Sequence, residues 1–518
     1  MGEDIPTSVP SAAVLPHSRR ERQCDAGRAG PGSVGNMSEL DAIIVGSGPN
    51  GLAAAVTLAR AGLKVKVYER NATIGGGSRT MELTLPGFLH DVCSAVHPMA
   101  LASGFFRRFR LQDRIELVVP EISYGHPLDH GEAGIAWRDI DRTADGLGRD
   151  GKAWKSLFGP LAANADRVAQ IAGSKLLQLP RHPLTFARFG LRAFEQGTPA
   201  WNLRFSGDVA PAMFSGVAAH SIQPLPSLST ASAGLALATY AHGRGWPIPI
   251  GGSQAIVDAM ADDIRAHGGE IVTDAEITSL DELPSARAVI LDTSAKTLLD
   301  LAGDRLPALY VKQLERFRFG NAVAKVDFAL SGPVPWTNPD LHAAGTLHVN
   351  GTRAEIAGSE GDVAAGRHSD NPYVLIAQPS IADASRAPAG QHVLWAYTHV
   401  PRNSSIDQTE AITRQIERFA PGFRDLILAS ASRTAVEMEN YNPNYVGGDI
   451  SSGGATFGQL IARPVISTDP WRTPLSGVYL CSSATAPGPG VHGLAGYYAA
   501  RTALTHEFGI TAGPSLAP

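Results

Sequence analysis

Asp41-Ala42-Ile43-Ile44-Val45-Gly46-Ser47-Gly48-Pro49-Asn50-Gly51 is the stretch that decides the fold. Its first five residues form a short apolar, β-branched run of the kind that makes a buried parallel strand. The run enters three glycines at GxGxxG spacing, and Leu52 to Arg60 is then rich in good helix formers. Gly62 ends that helix, and Lys64-Val65-Lys66-Val67-Tyr68-Glu69 reads as a second strand closing on a carboxylate. Strand, glycine turn, helix, strand and acid within about thirty residues is the dinucleotide-binding arrangement. The glycines let backbone approach a pyrophosphate at the helix N-terminus, whose first N–H groups have no partner inside the helix. Glu69 stands where a carboxylate accepts from ribose hydroxyls. A lone GxGxxG would be weak; in this context it is specific.

Further along, Arg70-Asn71-Ala72-Thr73-Ile74-Gly75-Gly76-Gly77-Ser78 brings a second glycine cluster. NAD does not require it, whereas a longer ligand whose far phosphate and ribityl chain must be approached again does. Near the other end, Val478-Tyr479-Leu480-Cys481 reads as a strand, and Ser482 to Gly493 leads into a helix from Leu494. Gly488, Gly490 and Gly493 repeat the GxGxxG spacing, but no second strand and acid follow. The segment is therefore read as a helix N-terminus facing an anionic edge of the ligand rather than as a second nucleotide site.

The 518 residues allow two to four domains. Apolar residues make up 44% and charged residues 18%, which suits a chain with much internal surface. A net charge of −5 leaves no electrostatic footprint for nucleic acid. Cys24, Cys93 and Cys481 form no CxxC pair, so a disulfide framework, a zinc site and a redox-active cysteine pair are not expected. No histidine cluster has metal-ligand spacing, and no metal is expected. No run of 18 apolar residues suggests a transmembrane helix. A reducing, cytoplasmic compartment is the simplest reading. Met1 to Asn36, rich in Gly, Pro, Ser and Arg, reads as a disordered tail, with Met37 just before the first strand.

Taken with Pro249-Ile250-Gly251-Gly252-Ser253 and Ser476 to Gly493, these motifs resemble the phytoene desaturase-related FAD-dependent oxidoreductases of the amine oxidase-like flavoprotein superfamily. Ala218-Ala219-His220-Ser221, Gly245-Trp246-Pro247 and Asn442 to Asp449 resemble most the branch with phytoene dehydrogenase-like proteins and pyridine nucleotide-disulphide oxidoreductase domain-containing protein 2. The resemblance runs from about Asp41 to Phe508. It implies an α/β fold: a Rossmann-like, doubly wound, three-layer FAD-binding domain interleaved with an α+β substrate domain. The FAD-binding domain is expected at 37–110, 246–300 and 440–518, and the substrate-binding cap at 111–245 and 301–439.

The resemblance further implies one noncovalent FAD. Gly46, Gly48 and Gly51 would hold the pyrophosphate and Glu69 the ribose. Arg70, Gly75, Gly76, Gly77 and Ser78 would follow the phosphate and flavin. Ile277 would read the adenine edge, Ser483 the phosphate–ribityl region, and Val491, His492 and Gly493 the flavin. Two departures stand out: Gly77 occupies a position where many amine oxidases have Arg, and Ser482 and Ser483 stand where relatives often have Gly or Asp.

Between the motifs, Ala153 to Gln178 has helical spacing. Arg181 to Phe205 combines Arg181, Arg188, Arg192 and Arg204 with Phe186, Phe189, Phe194, Trp201 and Phe205. That stretch, like Phe105-Phe106-Arg107-Arg108-Phe109-Arg110, reads either as core with a solvated arginine face or as a peripheral membrane contact. Proton-handling candidates are His492 and His220 first, then His242, Tyr441 and Tyr445. The expected activity is removal of hydride from a C–C unit of an apolar small molecule to flavin N5. The alternatives are a flavin amine oxidase, a redox-neutral isomerase or saturase on reduced FAD, and a flavoprotein whose role is to bind a partner. Oligomeric state is open, a homodimer being one candidate.

Overall fold

A computed structural model describes residues 40–518. The expected tail at 1–36, Met37 and Cys24 lie outside the described residues. The opening stretch forms the strand Leu40–Val45 at the centre of a five-stranded parallel sheet. Across that sheet the order is Val478–Leu480, Ala286–Leu291, Leu40–Val45, Val65–Tyr68 and Glu270–Val272. Strand alternation sorts the central side chains to two faces. Ala42 and Ile44 pack with the helices Pro49–Ala59, Gln254–Ala266 and Leu494–Phe508. Ile43 and Val45 pack on the other face with Leu298 and Leu301 of Ala295–Ala302 and Leu314 of Ala308–Glu315. A sheet buried on both faces is the doubly wound, three-layer architecture read from the motifs. The second face's core runs on to Phe317, past the boundary at 300, because the sheet needs both helices to cover it.

A second, mixed sheet of seven strands runs Ile427–Arg433, Ala322–Leu330, His392–Val400, Val374–Ala377, Thr346–Val349, Ile122–Pro127 and Ala133–Trp137. Its neighbours are antiparallel except for the pair Thr346–Val349 and Ile122–Pro127. Along His392–Val400, Leu394 and Ala396 face a core closed by Ile412 and Ile416 of the helix Thr409–Phe419. Trp395 and Tyr397 alternate to the opposite face, where they meet Tyr445 and Ala219. That face looks toward the dinucleotide motifs.

Two local expectations change. The helical spacing over 153–178 becomes two helices, Gly151–Ala162 and Ala165–Ala172, the second ending at Gly173. Phe105, Phe106 and Phe109 lie in Gly104–Phe109, a helix capped by the Ser103 hydroxyl, and all three rings are buried in the core around the first helix. Their burial matches the core reading of this stretch, with Arg107, Arg108 and Arg110 left exposed. Among the described residues no helix is long and apolar enough to cross a membrane.

Candidate functional site

The glycine turn is compact enough that each fingerprint glycine is required. A Cβ on Gly51 would stand 2.2 Å from the Gly46 carbonyl oxygen, and one on Gly48 would stand 2.6 Å from Asp292 Oδ2. Gly46 also has φ +98°, which L side chains rarely adopt. The second glycine cluster folds directly onto the first. Gly75 N–H donates to the Ser47 carbonyl at 3.1 Å, and a Cβ on Gly76 would lie 3.1 Å from Gly48 Cα. Residues about thirty apart in sequence thus build one cradle with little side-chain bulk.

Glu69 ends the second strand and is buried. Its Oε2 accepts from Ser47 N–H at 3.1 Å and from Ser47 Oγ at 2.6 Å. Its Oε1 accepts from Asn71 N–H at 2.9 Å and from Arg79 at 3.2 Å. Burial alone would raise this carboxyl, but the Ser47 and Asn71 donors and the Arg79 charge outweigh it and hold it below the usual range. Arg79 also donates to the Thr73 and Ile74 carbonyls, tying the loop between the two glycine clusters to the acid.

Asp292 was missed by the sequence reading. It follows the strand Ala286–Leu291, and its Oδ2 accepts the Gly51 N–H at 2.8 Å. Burial, with the nearby Glu69 charge adding to it, pushes this carboxyl up to about 7 despite that hydrogen bond. A signal was available: Ala288-Val289-Ile290-Leu291-Asp292 is an apolar strand ending on an acid, as Lys64 to Glu69 is.

A cavity of about 1040 Å³ runs from this cradle to the inner face of the seven-stranded sheet. Of the residues expected to bind the cofactor, Gly46, Gly48, Glu69, Arg70, Gly76, Gly77, Ser78, Ile277, Ser483 and Val491 line it. Gly51, Gly75, His492 and Gly493 stand behind the lining and shape the backbone. Gly493 is needed for packing, since its Cβ would come within 2.5 Å of the Phe105 ring.

His492 is corrected most. Its Nδ1 accepts the Leu494 N–H at 3.0 Å and its Nε2–H donates to the Gly488 carbonyl at 3.1 Å. Both ring nitrogens are committed to backbone at the start of the last helix, so the side chain has no lone pair or proton to offer a substrate. His242 is likewise occupied, accepting from Trp154 and donating to the Trp137 carbonyl. Tyr441 bridges Arg79 and the Gly76 carbonyl. The hydroxyl of Tyr445 lies 2.3 Å from where a Cβ on Gly77 would be, so tyrosine fills the space that a side chain at 77 would take. His220 alone among the histidine candidates lines the cavity.

The residues present fit a dinucleotide. Asn50 Oδ1, Ser78 Oγ and Thr293 Oγ1 are buried without a protein partner on residues that line the cradle end. Buried polar atoms in a native fold find partners, and a bound ligand would supply these. Among the described residues no cluster of His, Cys, Asp or Glu could hold a metal ion.

The class defined by these features is a protein with a Rossmann-type dinucleotide domain carrying a second, mixed sheet over its cleft. Comparison with known proteins agrees. Residues 44–109 match the family model of the NAD(P)-binding Rossmann-like domain. Over most of its length the chain is related to pyridine nucleotide-disulfide oxidoreductase domain-containing protein 2 of Mus musculus, 25% identical over 91% of this chain and 95% of that one. A solved putrescine oxidase variant superposes with a TM-score of 0.57 at 18% identity, covering 90% of this chain and 98% of its own. Cyclohexylamine oxidase from Brevibacterium oxydans gives 0.54 at 16%, with 90% and 98% covered. The chain thus shares the fold of these two amine oxidases and is a relative of the mouse protein.

Proposed function

We propose that the protein is an FAD-dependent oxidoreductase that dehydrogenates a C–C unit of an apolar substrate. The observation that carries this reading is a cavity that is glycine-lined at one end and aromatic at the other, with Trp246, Trp395 and Tyr397 in its wall. Bound FAD would supply the acceptor for both hydrogens and their two electrons, to be reoxidised by an acceptor outside the chain. The chain's own part is to hold the dinucleotide through the cradle, exclude water with the aromatic wall, and orient the substrate between them. Anaerobic bleaching of the visible flavin band tests the reading. Long-chain acyl compounds and polyenes should bleach the yellow protein; failure of all of them, with bleaching by amines, would establish the amine oxidase alternative instead. A colourless protein after gentle purification would remove the flavin assignment altogether.

The substrate's route in has its own support. The helix Pro183–Gln196 lies at the cavity mouth, with Phe186, Phe189, Gly190 and Ala193 in the lining. Around it Leu179 is 92% exposed and Leu184 86%, with Leu191 and Phe194 also exposed. From Arg167 to Phe194 the chain carries five cationic side chains and no carboxylate; Glu195, the acid that follows the stretch, pairs with Arg192. Apolar surface ringed by cations suits an anionic bilayer surface, where the mouth would open toward dissolved apolar molecules. Flotation with phosphatidylglycerol vesicles at low salt should carry the protein upward, and Leu184→Asp/Leu191→Asp should abolish this. No flotation of the unaltered protein would refute the contact.

A further inference from the structure

The cap end of the cavity contains an arrangement of histidines that fixes what its wall can offer a ligand. His220 lies just past the helix Val209–Ala218, and His348 lies on the strand Thr346–Val349. Their Nε2 atoms are 2.8 Å apart. Two lone pairs cannot face one another at that distance, so one ring donates to the other. Both rings are kept neutral by burial, His220 being pushed down to about 3 and His348 also well down. His348 Nδ1 is buried and has no partner.

Two proton arrangements are open. If His220 donated, neutral His348 would need its hydrogen on Nδ1, where it would be an orphaned buried N–H. If His348 donates, its Nδ1 is left only as an unused lone pair. Orphaned buried donors are the rarer and costlier defect. The second arrangement wins, and neutral His220 must then carry its hydrogen on Nδ1. That nitrogen has no protein partner and belongs to a residue that lines the cavity. His220 therefore presents a donor.

Two further unpartnered polar atoms lie in the wall. Trp395 Nε1, which can only donate, and Thr346 Oγ1, which can donate or accept, are buried, and both residues line the cavity. The acids among the lining residues are Glu69, Glu276, Asp292 and Asp300, all in the segments that end the strands of the parallel sheet or follow them. The cap side contributes none. It has donors, no net charge and no counter-ion for a cation.

We propose that this wall is a subsite for a neutral oxygen acceptor: the apolar substrate carries a carbonyl or ester oxygen, held by His220, with Trp395 as a second donor on the same wall and His348 as the positioning residue. A protonated amine is disfavoured at this wall, because no carboxylate lines the cap side and its charge would be buried without a counter-ion. The proposal rests on the cavity being the substrate's, as argued above.

Direct binding to the yellow holoprotein at pH 7 tests it, with 2-nonanone, nonane and nonylammonium as matched probes and calorimetry as the readout. The ketone should bind about tenfold or more tighter than either of the others, the worth of one or two neutral hydrogen bonds. His220→Phe and Trp395→Phe should each weaken the ketone roughly threefold to tenfold and leave nonane unchanged. His348→Leu should behave like His220→Phe, while His348→Gln, which keeps a donor toward His220 Nε2, should restore ketone binding. Long-range ¹H–¹⁵N spectra should show His220 as the Nδ1–H tautomer, and this measurement requires no variant. Equal or tighter binding of nonylammonium would overturn the proposal. So would a ketone preference that survives His220→Phe/Trp395→Phe, or an Nε2–H tautomer at His220. Loss of the cofactor reading would appear separately as loss of colour, so a yellow protein without ketone preference defeats the subsite alone.

Discussion

Asp292→Asn is the substitution with the most to say about the cradle. The carboxyl sits at the glycine turn, accepts the Gly51 N–H, and is pushed up to about 7 by burial and by the Glu69 charge. An unfolded chain would titrate this aspartate near 3.8. Between those values the folded state holds a proton that the unfolded state releases. Stability must then fall as pH rises through this window, at about 1.36 kcal/mol per pH unit, and level off above pH 7. From pH 5 to pH 7 the loss is about 2.3 kcal/mol, somewhat less than two full units because the group is half-titrated at pH 7. Asparagine can accept the same N–H with its carbonyl oxygen and does not ionise, so the variant should lack this slope. Urea unfolding of nucleotide-free protein, followed by tryptophan fluorescence at pH 5, 6, 7 and 8, measures it. The variant's advantage over the parent should grow by about 2–3 kcal/mol from pH 5 to 7 and then stay level. The same proton matters for the ligand: above pH 7 the parent sets a negative charge where pyrophosphate is expected, so FAD should dissociate more readily from it than from the variant. An advantage that does not change with pH would show that Asp292 does not titrate in this range and would refute the argument.

Glu69→Ala leaves Arg79 buried without its carboxylate, which should cost about 3 kcal/mol of stability and strip the flavin; thermal melts and flavin content report both. Gly77→Ala forces a Cβ against the Tyr445 hydroxyl and should lower flavin occupancy, whereas adding Tyr445→Phe opens the space and should restore it. Gly51→Ala has no such rescue, because its clash is with the Gly46 carbonyl of the backbone. His492→Ala removes two side-chain-to-backbone hydrogen bonds and should cost about 1–3 kcal/mol of stability, with turnover per bound flavin unchanged. Burial pushes His492 down to about 4, so it should add nothing to a pH–rate profile between 6 and 9.

What could be read from the sequence was what is local. Asp41 to Glu69 lays strand, turn, helix and acid end to end, so periodicity and spacing alone identify the central strand and its helix. The second glycine cluster was legible for the same reason, and its contact with Gly48 shows why it is there. The partners that give the site its chemistry are remote. Asp292 reaches Gly51 across 241 positions, and His348 reaches His220 across 128. No pattern in a single sequence joins them, since the sheet order that brings the strand Ala286–Leu291 beside Leu40–Val45 is a property of the folded topology. The exposed leucines around Pro183–Gln196 were invisible for a related reason. Their spacing is that of an ordinary amphipathic helix, and only the fold shows that part of the apolar side remains uncovered.

The different surroundings of His492 and His220 show how little proximity in sequence says about a side chain's availability. His492 stands among glycines beside the expected flavin, yet the residue entering a helix is where backbone most needs a partner. The Leu494 N–H and the Gly488 carbonyl take both of its nitrogens, and being 0% exposed it reaches no ligand. His220 had no such local demand on it. Its one bond is to another buried histidine, which leaves the far side of its ring uncommitted in the cavity wall. A polar side chain at a site is available for chemistry in proportion to what the surrounding backbone leaves it. By that measure the donors of the cap wall, rather than the histidine nearest the glycine motif, are the groups to which the proposal assigns substrate selection.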